Sequence, residues 1–483
     1  MTRTAKATLV ISAVSILIAA ACAVNPATGK RQIMLVSEGQ EIEMGRQYDE
    51  TIVAQMGLYD DDSLQEYVQS LGERLAADSE RPHLDWQFRV VDDPIVNAFA
   101  LPGGYIYITR GIMAHLDNEA ELATVVGHEI GHVTARHSAN QMSKGQLAQL
   151  GLGLGSMAAP EYAQRFGGLA ETAMSLAFLK FGRDDERQAD DLGLRYMLAT
   201  GYDPRPASGV FDMLARVSEA GGGGGIPAWA STHPAPENRE GRIRAQIDAL
   251  DASFGGRPVG TADYQRRIDG LVFGADPQQG YFEGDVFYQP EMAFQIAFPE
   301  GWKHANQRAA VVGVSAEEDG AVQLTIAGEK TAAAALAGFF RQEGVTKKGE
   351  PMGSIHGLRT AGDGFTAPLG GGNVEGRVGF VEHEGLVFQL LGYATEAAWP
   401  QRERTIRSSL ASFDRLTDRR YLDVEPKRLK IVPVARPESL AAFAKRNGST
   451  VPVETLELLN GLEPGETLEP GRSYKVVTGG ELP

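Results

Sequence analysis

Residues 125–137 read VVGHEIGHVTARH, and two histidines four residues apart constrain the fold here more tightly than any other feature of the chain. On an α-helix, positions i and i+4 project from one face, so His128 and His132 bring both imidazoles within reach of one ion. Glu129 sits one residue round from His128, close enough to take a proton from water at that ion without being a ligand. Gly127 and Gly131 carry no side chain and let another element or a substrate approach closely. The start of the helix is well signalled. Asn118 followed three residues later by Glu121 forms a capping box, and Glu119 adds negative charge to the first turn. From there the pattern runs without proline to about Ser138.

A catalytic zinc keeps three protein ligands and leaves its fourth position open, so two histidines are not enough. His137 is the nearest candidate, but about 100° of turn per residue places it opposite His128, out of reach of a shared ion. The extended pattern HExxHxxGxxH is also absent, because Ala135 and Ser138 stand where its glycine and third histidine belong. The better candidate lies in FGRDDERQADDLGLRYMLATGYDP, residues 181–204. Asp184, Asp185 and Glu186 crowd an expected helix start, and Gly201 with Pro204 ends the helix. Glu186 and Asp190, again four apart, face the same way. Glu186 reads as the third ligand, or as a solvated helix-terminal acid. Asp190 reads as a carboxylate that orients a ligating histidine, or as surface charge.

His233, in WASTHPAPENR, follows the glycine run 221–225, which reads as the hinge of a mobile loop. Three jobs suit it: stabilising a tetrahedral oxyanion, swinging onto the zinc as a fourth ligand that blocks water, or capping a turn. Arg239 is a weaker oxyanion candidate. His83, His115, His304, His356 and His383 lack partners at ligand spacing. The strand pair in NAFALPGGYIYIT, residues 97–109, offers a sheet edge for an extended peptide.

The N-terminus supplies an address. Arg3 and Lys6 precede an uncharged, mostly apolar run from Ala7 to Ala21, then Cys22, the only cysteine. Fifteen helical residues reach about 22 Å, short of a hydrocarbon core of roughly 30 Å, so residues 1–21 read as a signal peptide. Ala19, Ala20, Ala21 and Cys22 resemble a bacterial lipobox, with lipid on Cys22; the other reading is an incidental cysteine lost on cleavage. Ala23 after the cysteine implies sorting to the outer membrane of a Gram-negative bacterium, facing the periplasm. A net charge of −17, from 46 basic and 63 acidic residues, argues against a nucleic-acid partner.

Chain organisation divides further. Residues 22–41 read as a linker and residues 42–255 as an α+β metalloprotease domain, mainly helical with a small sheet. A segment from Gly151 to Leu179 reads as groove-lining or buried, broken by Pro160, Glu161 and Arg165. Residues 256–420 change to short alternating runs with one helix near 331–342, an α/β sandwich of unassigned role. Its FxxPxGW stretch resembles sandwiches of the PsbP/Mog type. Residues 421–483 read as strand, helix, helix, strand and resemble a LysM module, with ARPESL in place of the usual Gly-Asp-Thr-Leu opening.

Taken in order, VNPATGKRQ, NAFALPGGYIYITRG, NEAELATVVGHEIGHVTARH, ERQADDLG and STHPAPENR resemble metallopeptidase family 48, which includes the CAAX prenyl proteases, in its periplasmic lipoprotein branch. The resemblance covers about residues 22–245. It implies a zincin-like (gluzincin) fold, one Zn2+ held by His128, His132 and Glu186, and Glu129 as general base. It also implies envelope polypeptides as substrates. The rival readings are a periplasmic chaperone or scaffold with little turnover, and a peptidoglycan-associated hydrolase, the latter resting on the LysM-like tail.

Overall fold

The computed structural model describes residues 22–144, 179–220, 229, 232–233, 238–250, 253–369 and 372–483. Residues 1–21, expected to be a signal peptide, the 151–178 stretch and the glycine run 221–225 lie outside the described residues. Among the described residues no helix is long and apolar enough to cross a membrane. The chain is mixed α and β and divides into two compact units, Met1–Gly274 with Arg428–Thr478, and Ala275–Lys427 with Gly479–Pro483.

In the first unit, a three-stranded sheet is built from the alternating, β-branched and aromatic runs expected to form it. Tyr105–Thr109 lies in the centre, parallel to Gln87–Val91 and antiparallel to Ala98–Leu101. The Pro-Gly-Gly turn between Ala98–Leu101 and Tyr105–Thr109 needs Gly103 and Gly104 at φ 86° and 105°, where a side chain would be strained. A Cβ at Gly103 would also meet the backbone of Glu41 and Ile42 at 2.8 Å.

The helix Glu119–Thr134 begins as expected, with Asn118 Oδ1 accepting from the Glu121 amide at 2.9 Å. The returning arm of the cap reaches one residue further, because Glu121 Oε2 accepts from the Asp117 amide. Every residue from Leu122 to Thr134 is buried. A helix enclosed on all sides belongs to the core of a larger unit rather than to an amphipathic surface. It is packed by Leu64, Val68 and Leu71 of Asp62–Ala77 and by Ile106 and Ile108 of the sheet, all in one core. Each such side chain is worth about 1.5–3 kcal/mol on burial.

The helix stops four residues before the expected Ser138. Arg136 adopts φ 60°, which ends the run after Thr134. The cause is a buried polar cluster at that end. Arg136 Nε donates to Glu41 Oε1 at 2.7 Å, and Arg81 donates to Glu41 Oε2 and to the Val133 carbonyl, each at 2.9 Å. Two guanidiniums therefore sit at a helix C-terminus, where the partial negative charge favours cations, with Glu41 bridging them. The expected linker is folded here as well. Cys22–Val24 pairs with Arg31–Ile33, and Asn25 Nδ2 donates to the Ala135 carbonyl at 3.1 Å.

The acidic helix runs Arg183–Ala199, and the two helices touch through glycine. A Cβ on Gly193 would lie 2.9 Å from the His128 nitrogen, and one on Gly131 would lie 2.9 Å from the Ala189 carbonyl. Gly131 and Gly127 thus admit a neighbouring helix, not a substrate. The tail of this unit runs strand Arg428–Pro433, helix Leu440–Arg446, helix Val453–Leu459, strand Ser473–Thr478, with the outer strands antiparallel. Its Phe443, Leu456 and Leu459 join the same core as the metal-site helices. Lys475 is fully buried and holds Asp117 Oδ1 and the Leu459 carbonyl, each at 2.7 Å.

The second unit carries a seven-stranded antiparallel sheet with Arg359–Leu369, Gly372–His383 and Leu386–Thr395 in sequence, followed across the sheet by Gly320–Ala327. A four-stranded sheet centres on Val286–Gln289 and Phe294–Ala297. Phe287, Phe294, Phe388, Phe413 and Ile406 form its core, with Ile406 supplied by the helix Trp399–Ala411.

Candidate metal centre

Four buried side chains converge where the two helices meet: His128, His132, Glu186 and His233, each offering one ligand atom within 4.8 Å of the others. The first two come from one face of the Glu119–Thr134 helix, and Glu186 from the first turn of the facing helix. His233 comes from a short turn in which its amide donates to the Trp229 carbonyl at 2.7 Å. Nε2 of His128 and Nε2 of His132 are 3.0 Å apart. Glu186 lies 3.5 Å from the first of these and 3.4 Å from the second. His233 Nδ1 lies 3.3 Å from His128 Nε2 and 3.0 Å from Glu186 Oε1. Zinc bonds of about 2.0–2.1 Å in a tetrahedron imply ligand-to-ligand edges of about 3.3 Å. The observed separations scatter around that length.

The donor set fits a cation on chemical grounds too. Glu186 Oε2 and both oxygens of Glu129 are buried and have no hydrogen-bond partner among the described residues. Lone pairs held this close, away from water, are costly unless a positive charge sits among them. Burial alone would raise the Glu186 pKa, but His233, His128 and His132 outweigh it and hold the carboxylate well below its ordinary range. Burial pushes His132 well down, toward the neutral form that ligates. For His128, burial and Arg239 press the same way, and Asp190 and Glu186 together overcome them, lifting it to about 9. His128 would have to give up that proton to hold a cation there.

Glu129 is fully buried, and burial raises its pKa. Its Oε1 lies 3.6 Å from His233 Nε2. A carboxyl of raised basicity with no fixed partner is suited to receive a proton.

Around these residues stands a supporting ring. Asp190 Oδ1 is 3.0 Å from His128 Nδ1, and Arg239 Nε donates to both Asp190 oxygens at 3.0 and 2.9 Å. Arg239 stacks over Phe211 at 4.4 Å. Its guanidinium is held mainly by Asp190 behind His128, with Nη1 also 3.4 Å from Glu186 Oε2. Trp229 stacks on His233 with ring centroids 4.2 Å apart, and Phe181 stacks on His132 at 4.0 Å.

Sequence reasoning missed both aromatics. Trp229 stands four residues before His233, the spacing of one helical face, and that was the available signal. His137 was set aside on angular grounds that assumed a helix through Ser138. It is not in the donor set, yet the turn at Arg136 brings its Nδ1 to 2.9 Å from Nδ1 of His132.

Residues 62–247 match the profile described as peptidase family M48. A mitochondrial metalloendopeptidase OMA1 from Arabidopsis thaliana is 37% identical over 182 residues, covering 37% of this chain and 35% of that protein. A beta-barrel assembly-enhancing protease from Escherichia coli (strain K12) is 31% identical over 224 residues, covering 44% of this chain and 45% of that protein. The chain therefore spans under half the length of these relatives. Among solved structures, a cyanobacterial PsbP from Synechocystis shares 12% identity at a TM-score of 0.23, covering 28% of this chain and 94% of that one. The match to peptidase family M48 spans residues 62–247 and so takes in all four converging side chains, His128, His132, Glu186 and His233.

Proposed function

We propose that the protein is a zinc-dependent endopeptidase of the bacterial cell envelope that acts on misfolded or misassembled envelope polypeptides. The observation that carries the enzymatic part is the buried convergence of His128, His132 and Glu186 beside an unpartnered Glu129. In this reading the first three hold the ion. When bound, zinc supplies an electrophile that acidifies water and polarises the scissile carbonyl. Glu129 takes the proton from the attacking water and passes it to the leaving amine. Asp190, itself held by Arg239, accepts the Nδ1 proton of His128 and keeps Nε2 turned inward. The envelope setting draws on the lipobox-like Cys22 and on relatives named for β-barrel assembly. Zincin-like architecture for the metal domain and a LysM-like tail belong to the same proposal, the tail offering a peptidoglycan contact.

His233 supports a second element, regulated latency. Its Nδ1 stands with the other three donors and would take the place that a catalytic zinc leaves for water. With His233 there, Glu129 has no water to activate, so the described arrangement is a resting form and catalysis requires His233 to move out. The chaperone reading does not account for a buried carboxyl without a hydrogen-bond partner beside the donor set; hydrolysis of peptidoglycan crosslinks would use the same groups, and that reading rests on the LysM-like tail alone.

The test uses the chain from Ala23 to Pro483. Zinc content, casein degradation and its loss with chelator are measured together with Glu129→Gln. About one zinc per chain is expected in both forms, with proteolysis lost in the variant. Unchanged proteolysis by Glu129→Gln overturns the assignment, and absence of zinc from both overturns the metal centre.

A further inference from the structure

His137 is buried at 3% exposure, and its two nitrogens face two partners. Nδ1 is 2.9 Å from His132 Nδ1, and Nε2 is 3.2 Å from Gln188 Oε1. Asp185 Oδ1 lies further off, 3.7 Å from Nε2. Two imidazole nitrogens this close form a hydrogen bond only if one of them carries the proton, so the arrangement fixes tautomers.

His132 Nε2 faces the shared point with His128 Nε2 at 3.0 Å and Glu186 Oε1 at 3.4 Å, so it is the nitrogen that ligates and carries no proton. A neutral imidazole has one N–H, which then sits on Nδ1. That N–H donates to His137 Nδ1, which must be the bare nitrogen of its ring. The proton of His137 is left on Nε2, and Gln188 Oε1 is there to accept it. Each link is satisfied once, with no proton missing or left over. The reverse direction, His137 donating to His132, would put a proton on His132 Nε2 and block ligation.

We infer that His137 is a positioning residue of the metal centre: it accepts the Nδ1 proton of His132, is itself held by Gln188, and so fixes the ring orientation in which His132 offers Nε2. The inference rests on the zinc reading above. It also accounts for the early end of the helix. Continued to residue 137, the helix would carry this ring to the opposite face; φ 60° at Arg136 swings it back behind His132. Phe181, stacked on His132 at 4.0 Å and 6.1 Å from His137, closes the remaining side. The two ligating histidines are thus backed by different chemistry, Asp190 for His128 and a neutral imidazole for His132.

The experiment measures zinc affinity by chelator competition in the Ala23-to-Pro483 chain, for wild type, His137→Phe, His137→Gln and Gln188→Leu. Loss of such a hydrogen-bonding partner weakens metal binding about 10–100-fold, the drop expected for His137→Phe. His137→Gln, whose amide oxygen can accept from His132, should recover most of it, a rescue that mere loss of packing would not show. Gln188→Leu should lose several-fold. In long-range proton–nitrogen spectra of the zinc-loaded wild type, His137 should read as the Nε2–H tautomer. Wild-type affinity in His137→Phe, or a His137 proton on Nδ1, overturns the inference. Should His137→Phe not fold, undiminished affinity in Gln188→Leu overturns it equally. A wild type that binds no zinc removes the reading of function instead, so the two failures are distinct.

Discussion

Nδ1 of His233 stands 3.0 Å from Oε1 of Glu186, inside the same donor set as the two histidines of the HExxH helix. In the proposed reading a residue in that place would compete with water for the ion, and what keeps it there is specific. Trp229 stacks on the His233 ring at 4.2 Å, and the turn carrying His233 is closed by a bond from its amide to the Trp229 carbonyl.

His233→Ala should therefore raise casein cleavage. A tenfold rise would correspond to a latch worth about 1.4 kcal/mol. Trp229→Ala should move activity the same way by a smaller factor, since it loosens the ring without removing it. A fall in both variants would instead assign His233 to the transition state.

The pair Asp190 and Arg239 makes the second prediction. Both are buried, and burial would raise the Asp190 pKa, but Arg239 and His128 outweigh it and keep the carboxylate ionised. Removing one member of a buried pair strands the other charge, at about 3–5 kcal/mol. Asp190→Asn should accordingly lower stability in the metal-free protein by about 3 kcal/mol, because the carboxylate left beside Arg239, that of Glu186, stands off at 3.4 Å. It should also weaken zinc by about 10–100-fold through His128. Denaturant titration with and without zinc separates the two losses. Equal stability of wild type and variant in the metal-free state would show that Arg239 is compensated elsewhere.

The helix-to-helix contact gives a third. Gly193 approaches the backbone of Gly127 and His128 so closely that a Cβ would lie 2.9 Å from the His128 nitrogen and 3.0 Å from the Gly127 carbonyl carbon. Backbone cannot yield as a flexible side chain can. Gly193→Ala should push the helices apart and cost about 1–3 kcal/mol. It also draws Glu186 and Asp190 away from His128, so zinc affinity should fall along with the melting temperature. Gly209→Ala on the helix Ala207–Ala220, where nothing lies within 4 Å of the added carbon, is the matched control. Comparable losses at both glycines would refute the packing argument.

How much of this was legible in the sequence follows from what each feature depends on. The HExxH pair, the acidic cluster with Glu186 and Asp190, the Asn118 cap and the Pro-Gly-Gly hairpin are local. Each is set by spacing or by a residue with one conformational preference, and each stands where its pattern indicated. The stop after Thr134 depends on Glu41, Arg81 and Arg136, which come from three separate stretches and meet only in the fold. Periodicity has no access to that meeting, so a helix continued unbroken through Ser138 puts His137 on the face away from His132. The tail was read as a separate module because its pattern is self-contained. Nothing local reveals that Leu456 and Leu459 complete the core around the metal-site helices, or that Lys475 reaches Asp117.

That reach sets up the last prediction, at the head of the HExxH helix. Glu121 accepts from the Asp117 amide at 2.6 Å and from Asn118 Nδ2 at 2.8 Å. Burial, and then the neighbouring Asp117 charge, raise its pKa to about 7 from the ordinary 4.5. A carboxyl whose folded-state pKa is raised binds its proton more tightly in the folded state. Its favourable contribution is complete below about pH 4.5 and is lost as pH rises through about 7. The shift bounds the change at about 3 kcal/mol, since each pH unit is worth about 1.4 kcal/mol. Glu121→Gln keeps an oxygen for the Asp117 amide but cannot ionise. Unfolding free energies measured by denaturant at steps from pH 4.5 to 8 should therefore fall more steeply for wild type than for the variant, the gap opening toward pH 7 and then levelling. Parallel curves across that window would mean that Lys475, 2.7 Å from Asp117, already neutralises the cluster and leaves Glu121 ionised at its ordinary pKa.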